Sequence, residues 1–444
     1  MAVRDSIDRS GMSRFQIGVV AICLVINLVD GFDVLVMSFA APGVAREWAL
    51  TDSRVGVLLS SGLVGMALGS AVLAPLADRI GRRPLTLVCL TVCTAGMALA
   101  GLSSGFAMLA GCRLLTGLGI GGMVASLPVV IAEYTPQRLR GTMIALYGMG
   151  LPLGGVLGGA VAKLVVTEYG WRATFFVGAV LTLVMVLVVA AAMPESLDYL
   201  ISRRRQGALS KVNRLLDRMR LPTVDSLPDP ELGARRVKVT ALLTRDAART
   251  VLLWISYFVM MAGFYFAASW TPLLLQQSGS SGEQGMNAGL LLNLGGIAGT
   301  LLFGLLALKV RLRVLTVGCF VAAGISYLAM SLFLSSAAAA LIAAVAVGMF
   351  INASGNGLNA IAPGLYAAPV RATGVGWAMA FGRVGALTAP ALAGLLLDNS
   401  WSPRSLFGLL VVPLVAAAVA VFVITVPRRP ARTATTAETP APLP

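Results

Sequence analysis

The 444-residue chain has no histidine and five cysteines, and only 12% of its residues are charged. Histidine titrates near neutral pH and is the commonest metal ligand, so its absence removes the usual proton switch and the usual metal site. The cysteines all lie in apolar stretches and give no disulfide framework. No nucleotide-binding loop or cluster of metal ligands is visible. We therefore expect a protein that is not an enzyme and that holds neither a metal nor a cofactor.

Apolar residues are abundant instead, at 57% of the chain, which is more than a soluble domain normally carries. Runs of about 20 apolar residues match the hydrocarbon core of a bilayer, which is roughly 30 Å thick. Twelve such runs lie near residues 15–39, 54–77, 84–103, 106–132, 141–165, 172–193, 250–270, 286–308, 312–334, 337–359, 370–394 and 404–426. The sequence predicts an all-α membrane protein with twelve transmembrane helices.

The charge balance predicts how these helices are oriented. The chain has 34 basic and 19 acidic residues, a formal net charge of +15. Most of the basic residues fall in the two ends of the chain and in alternate connections between the apolar runs. This asymmetry follows the positive-inside rule, which places both termini in the cytoplasm and the protein in the inner membrane. The basic excess therefore predicts topology, with the lipid bilayer rather than a nucleic acid as partner.

One connection is much longer than the others and divides the runs six and six. We expect an N-terminal six-helix bundle over 1–195, a cytoplasmic connecting loop over 196–249, a C-terminal six-helix bundle over 250–430 and a disordered tail over 431–444. Residues 196–220 have apolar side chains at helical spacing with basic residues between them. This pattern fits a basic amphipathic helix on the membrane surface and a solvated linker equally well.

A weak internal repeat relates the two halves. APLADRIGRRP at 74–84 and GLLALKVRLR at 304–313 follow the second and the eighth apolar run, although Leu308 replaces Asp78 in the second copy. Transporter folds often retain such repeats. The sequence therefore predicts two pseudo-symmetric bundles.

Two carboxylates interrupt the first apolar run, in the stretch NLVDGFDVLV at 27–36. Asp30 and Asp33 are three residues apart and so share one helix face. Arg113 on the fourth run lies at a comparable depth. A charge inside the membrane is costly, so it pairs or changes its protonation, and two adjacent carboxylates favour protonation of one of them. We interpret Asp30 and Asp33 as proton-coupling residues; the alternative is that they only pair with Arg113 to fix helix packing.

Several residues are candidates for binding a substrate. Arg383, near the middle of the eleventh run, presents a planar donor fork suited to a carboxylate, and Arg113 is the second candidate. Which arginine meets the substrate and which pairs with the helix 1 acids is open. Further polar and aromatic candidates, for which interhelical hydrogen bonding or simple packing is the alternative, are Asn352, Asn356, Tyr257 and Tyr265.

The motifs together resemble a known family. LADRIGRR after the second run and RLLTGLGIGG from Arg113 are similar to signatures of the major facilitator superfamily. Resemblance to its aromatic acid:proton symporters is carried by DGFD, EYTPQRLRG at 133–141, PES at 194–196, SWTPLLLQQSG at 269–279 and RATGVGWAMAFGRVGA at 371–386. The sialic-acid and lactate symporters share the acidic element of helix 1. The resemblance implies the major facilitator fold and a gate at Asp78, Arg79, Gly81, Arg82 and Arg83.

The gate has a physical basis in the charge of Asp78. This carboxylate can accept hydrogen bonds from the positive N-terminal end of the eleventh span and pair with a nearby arginine. Glu133, with Arg138 or Arg140, lies at the same end of the fourth span and can join this network. We also count Glu133 among the candidate proton-coupling residues.

Together these patterns predict a secondary transporter that imports a small aromatic or related unsaturated carboxylate with protons, by alternating access. The coupling ion is the proton, and no obligate protein partner is evident. The alternatives are proton-coupled efflux of drugs or metabolites and symport of a non-aromatic acid such as sialate or lactate. For efflux, LPLGG at 151–155 is an incomplete form of the expected Gly-Pro element. The particular acid, the proton stoichiometry, the oligomeric state and the role of 196–249 are open.

Overall fold

The structure, a computed structural model, describes residues 2–204, 207–227, 247–366 and 368–424. Every regular element within these ranges is a helix. The helices are α1 (Ala2–Arg9), α2 (Arg14–Glu47), α3 (Asp52–Val72), α4 (Ala74–Ile80), α5 (Arg82–Gly101), α6 (Phe106–Tyr134), α7 (Gln137–Tyr169), α8 (Trp171–Ala192), α9 (Leu197–Arg203), α10 (Ala208–Arg218), α11 (Ala247–Gln277), α12 (Gly282–Leu306), α13 (Leu312–Phe333), α14 (Ala337–Leu365), α15 (Ala368–Asp398) and α16 (Pro403–Val423).

Twelve of these helices are long and apolar enough to cross a membrane: α2, α3, α5 to α8 and α11 to α16. Their number and order confirm the twelve predicted spans. The prediction placed the end of the first span at Phe39, but α2 continues through Pro42 to Glu47. The last two turns carry polar residues, which hydropathy does not count. They are held by Glu47, whose carboxylate accepts hydrogen bonds from Trp171 and Arg172.

The predicted second span, 54–77, is in fact two helices. α3 ends at Val72, and Pro75 occupies the first turn of α4, where its missing N–H has no intrahelical partner to lose. Gly81 then has a φ of 104°, a backbone conformation that only glycine adopts without strain, and it turns the chain into α5. The LADRIGRR motif is therefore a short helix followed by a tight turn.

The spans form two sets of six with the same contact pattern. In the first set α2 packs on α7, α3 on α6, and α5 on both α6 and α8. In the second set α11 packs on α15, α12 on α14, and α13 on both α14 and α16. Small residues allow these approaches: a methyl group added to Gly31, Gly117 or Gly348 would collide with the backbone of the neighbouring helix.

The two sets meet at one end of the molecule. We call the end that carries α1, α4, α9 and α10 the Arg-rich end. At the other end α3 packs on α15 and α7 on α12. There Lys163 forms an ion pair with Glu283 at 2.7 Å, and the carboxylate of Asp398 accepts hydrogen bonds from the backbone N–H groups of Asp52 and Ser53 at 3.0 and 3.1 Å. The halves are thus joined at the end opposite the Arg-rich end.

The described part of the connecting segment packs against the first set of helices. The apolar side chains of Leu197, Val212 and Leu216 are buried in its core cluster, and the Arg218 guanidinium lies 4.2 Å from the centre of the Phe15 ring. The described parts of this segment, 197–204 and 207–219, therefore do not place their apolar face on a membrane surface or in solvent, because protein covers it. The rest of the loop, 228–246, and the predicted tail, 431–444, lie outside the described residues.

Candidate functional site

Asp30 and Asp33 lie inside the first set of helices. They are 1% and 0% exposed, and none of their four carboxylate oxygens has a hydrogen-bond partner. Asp33 faces α8, since a methyl group added to Gly178 would lie 3.1 Å from Asp33 Oδ1. A buried carboxylate without donors costs several kcal/mol if it stays charged. These side chains are therefore stable here only if they take up protons or gain a cationic partner.

Arg113 on α6 is the cation near these acids. It is 3% exposed and interacts electrostatically with Asp33. Its guanidinium donates to the Val34 carbonyl at 3.5 Å, a long hydrogen bond, and it lies 3.9 Å from the sulfur of Met97. A cavity of about 10 Å³, close to the space of one water molecule, lies beside Arg113. The structure brings the three predicted residues together, but the Arg113 guanidinium makes only these long contacts with the described residues.

Sequence reasoning missed a fourth member of this cluster, Tyr147 on α7. Its hydroxyl is buried without a hydrogen-bond partner, and it lies near Asp30. Asn27, one turn before Asp30, donates a hydrogen bond to the Tyr147 carbonyl and so ties α2 to α7 at this level. Asn27 and Asp30 are two polar residues on one face of an apolar helix, and this pattern was the sequence signal that could have found this side of the site.

Arg383 lies on the second set, at the boundary between the halves. Leu387 lies one turn after Arg383 on α15 and packs against the core of the first set. Pro390, about one turn later, contacts Gly56 of α3. Because residues four apart share a helix face, half-buried Arg383 lies on the face directed toward the first set. Tyr265 lies nearby and packs both against the core of the first set and against a core cluster formed by residues of both sets.

The two groups lie at comparable depths. Asp33 is about 21 Å along α2 from Glu47, and Arg383 is about 22 Å along α15 from Asp398, at a rise of 1.5 Å per residue. Glu47 and Asp398 both lie at the end where the halves are joined. The acids and Arg383 are thus placed in different halves at a similar level.

The other predicted substrate residues are engaged within the second set. Asn352 donates to the Gly348 carbonyl of its own helix, and Asn356 donates to Thr300 of α12 at 3.0 Å. Tyr257 is 1% exposed, and its hydroxyl donates to Asn359 at 2.7 Å. For Asn356 and Tyr257 the structure shows hydrogen bonds between helices, while a contact with substrate stays a prediction.

Glu133 lies at the Arg-rich end, apart from Asp30 and Asp33. It is 2% exposed, forms an ion pair with Arg82, and accepts hydrogen bonds from Ser196 Oγ and the Leu197 N–H, both at 3.0 Å. These partners satisfy its carboxylate. The structure therefore groups Glu133 with the gate residues.

The predicted gate residues Asp78, Arg79, Gly81, Arg82 and Arg83 all lie on the first set, around α4 and the start of α5. The Asp78 side chain is 78% exposed and lies 3.9 Å from Arg82. Among the described residues at the start of α15, none donates a hydrogen bond to the Asp78 carboxylate. The predicted contact of Asp78 with the second set is therefore not formed by the part of the chain that the structure describes.

Comparison with known proteins identifies the family. The sequence model of the Major Facilitator Superfamily matches residues 23–363 and 253–444. The chain is 29% identical to the 4-hydroxybenzoate transporter PcaK of Acinetobacter baylyi, with 94% of this chain and 93% of that protein covered. It is 31% identical to the gallate transporter of Pseudomonas putida, with 94% of each protein covered.

Solved structures agree on the fold. The partially occluded inward-open xylose transporter XylE of E. coli superposes with a TM-score of 0.74 at 15% identity, covering 92% of this chain and 99% of that one. The family match and the relatives, all named as transporters, make the chain a multi-pass membrane transporter and not an enzyme. It belongs to the major facilitator superfamily, and its curated relatives place it with the aromatic acid transporters of that superfamily.

Proposed function

We propose that this protein is an inner-membrane symporter that imports an aromatic monocarboxylate together with protons. The observation that carries the proposal is the pair of buried carboxylates, Asp30 and Asp33, which have no hydrogen-bond donors. The transporters of 4-hydroxybenzoate and gallate that the chain resembles are named for compounds that join a ring to a carboxylate. The carboxylate and the ring of such a compound each find a suitable side chain, Arg383 and Tyr265, near the boundary between the two sets of helices.

The side chains proposed to bind the substrate lie on the second set of helices. Arg383 binds the carboxylate, because guanidinium forms paired, charge-assisted hydrogen bonds with a carboxylate and this one is not already in an ion pair within the described residues. Tyr265, which lies near Arg383, offers a flat ring against which the substrate ring stacks. Asn352 and Asn356 contribute to substituent recognition only if their present hydrogen bonds are exchanged.

The side chains proposed to bind and release protons lie on the first set of helices. Asp30 and Asp33 carry two negative charges beside the single positive charge of Arg113, so the ionised cluster holds an uncompensated charge away from water. Proton uptake removes that charge and lets the site close around bound substrate, because desolvation favours the neutral form. Release of the proton on the other side of the membrane resets the cluster.

Alternating access follows from the arrangement of the halves. Both sets pair the same positions, so we infer that 1–195 and 250–430 are pseudo-symmetric bundles joined by the loop 196–249. The positive-inside rule places the Arg-rich end, and with it both termini, in the cytoplasm. The structure, joined at the opposite end, then corresponds to the inward-open state. The gate at Asp78 forms when the halves close at the cytoplasmic end.

Replacing Asp398 by Ala is expected to favour the outward-open state. Its carboxylate accepts hydrogen bonds from the first two N–H groups of α3 and holds the halves together. Loss of such a helix cap costs about 1 kcal/mol, which shifts the ratio of inward-open to outward-open molecules about fivefold. Distances between spin labels at the outer ends of α3 and α15 measure this ratio.

The control for this variant is Asn399→Ala, at the next position of the chain. Asn399 directly follows α15, donates its side-chain hydrogen bond to the Leu395 carbonyl of that helix, and does not bridge the halves through that bond. The two variants therefore remove a polar side chain at the same end. Equal distance distributions in the two variants would contradict the role of Asp398.

Uptake by the purified protein in liposomes tests the proposed function. Radiolabelled 4-hydroxybenzoate is expected to accumulate when the outside is more acidic than the inside, and a protonophore is expected to abolish that accumulation. Sialate and lactate, supplied in excess, are expected not to compete. Accumulation that ignores the protonophore would remove proton coupling from the proposal, and accumulation only under the reversed gradient would favour export.

A further inference from the structure

A separate cavity lies at the Arg-rich end of the first set, away from Asp30, Asp33 and Arg383. Its volume is about 390 Å³, and it is bounded by the start of α5 and by α9 and α10. This volume falls in the range of pockets that hold small ligands. Four basic side chains line it, together with one acidic side chain: Arg83, Arg203, Lys211, Arg214 and Glu195.

The acidic side chain is already occupied. Glu195 Oε1 accepts hydrogen bonds from the backbone N–H groups of Arg82 and Arg83 at 2.9 and 3.2 Å, and so caps the N-terminus of α5. It also accepts from the N–H group of Ser196 at 2.8 Å. The negative charge of Glu195 is therefore directed to the helix end and offsets little of the basic charge in the cavity.

The basic side chains have unused capacity. Arg203 donates to a backbone carbonyl, that of Asp78, at 3.0 and 3.1 Å rather than to a carboxylate. The Nε of Arg83 is buried without a hydrogen-bond partner. Lys211 and Arg214 are exposed and three residues apart on α10, and neither belongs to an ion pair of the described residues. The cavity thus presents a concentrated positive charge that selects an anion.

The position of the cavity identifies the kind of anion. α5 begins at Arg82 and α8 ends at Ala192, so the cavity lies at the level where two adjacent membrane spans end. That level is the headgroup region of the bilayer. The same cavity is also lined by apolar side chains, among them Ile80, Pro84 and Leu215, which suit the glycerol and upper acyl portion of a lipid. Basic pockets at this depth attract anionic lipids.

We propose that this cavity binds the phosphate group of an anionic phospholipid, with Lys211 and Arg214 as its main charge partners. A bound lipid ties α10, from the segment between the two halves, to the start of α5. The site is independent of the substrate and proton groups, so its test does not depend on transport.

Native mass spectrometry of the purified full-length chain, titrated with phosphatidylglycerol, tests the proposal. The double variant Lys211→Gln with Arg214→Gln is expected to bind the lipid about 25-fold more weakly, because each basic residue near anionic lipid contributes about fivefold. Each single variant is expected to lose about fivefold. Both side chains are exposed, so the fold does not depend on them.

The control is the double variant Lys309→Gln with Arg311→Gln, which removes the same charge from exposed positions at the same end of the second set. It is expected to retain wild-type lipid binding. Equal losses in the two double variants would overturn the proposal. It would also be overturned if inorganic phosphate displaced the bound lipid completely, since the cavity would then select a soluble anion. Equal binding of phosphatidylcholine and phosphatidylglycerol would overturn it as well, since the cavity would then not select an anionic lipid.

Discussion

Replacing Asp33 by Asn is expected to abolish proton-driven accumulation of the substrate while leaving its downhill movement across the membrane. Asparagine has the shape of the protonated acid and cannot release a proton. A gradient of one pH unit supports about tenfold accumulation for each coupled proton, because one unit corresponds to about 1.4 kcal/mol. The variant is therefore expected to bring the inside concentration of labelled 4-hydroxybenzoate to the outside value and no further.

The structure supports this expectation through the burial of Asp33. The side chain is 0% exposed, lacks donors and interacts with Arg113, so a change in its charge alters the free energy of the whole cluster. Asp30→Asn is expected to act in the same direction, since Asp30 is its neighbour on the helix face. The same loss of charge is made at an exposed position of α10 by Asp217→Asn, and this control should keep tenfold accumulation.

Counterflow separates a coupling defect from a binding defect. Liposomes loaded with unlabelled substrate should exchange it for labelled substrate in the Asp33→Asn protein as in the wild type, because exchange needs no net proton movement. If Asp33→Asn still accumulated substrate tenfold under the gradient, Asp33 would not carry the proton. If exchange were lost as well, Asp33 would be a substrate or packing residue instead.

The spans were predictable because hydropathy reports directly on a bilayer, whereas their ends depend on contacts that a sequence does not display. α2 runs past Phe39 because Glu47 is held by Trp171 and Arg172, more than 120 residues away. The apolar face of α10 was visible as a pattern. What covers it, the core around Val212 and Leu216, required the folded chain.

The site shows the same division. Asp30, Asp33 and Arg113 stood out because a charge in an apolar run is rare, and the structure brings them together. Tyr147 did not stand out, since a tyrosine in a membrane span is ordinary until its hydroxyl is found buried without a partner. Asn356 stood out, but its partner, Thr300, lies on another helix and was not predictable from spacing.

Replacing Arg383 by Lys is expected to weaken substrate binding while leaving proton coupling intact. Lysine keeps the charge but loses the planar fork that binds both oxygens of a carboxylate, a difference worth about 1.5 to 3 kcal/mol, or roughly 10-fold to 150-fold in affinity. The KM for uptake is expected to rise by that factor. The accumulation ratio at saturating substrate is expected to stay at the wild-type value, because Asp30 and Asp33 are unchanged.

A neutral analogue makes the assignment specific to the carboxylate. 4-Hydroxybenzamide has the same ring and hydroxyl but no negative charge, so wild type and Arg383→Lys should bind it with equal affinity, and the difference between acid and amide should shrink in the variant. Arg371→Lys, three turns nearer the start of the same helix, controls for loss of a guanidinium on α15 and should leave both affinities unchanged. An equal loss of affinity for acid and amide in Arg383→Lys would mean that Arg383 shapes the site without binding the carboxylate. Arg113 would then have to hold the anion. Its guanidinium is available for this, because its contacts are long, at 3.5 Å to the Val34 carbonyl and 3.9 Å to the Met97 sulfur.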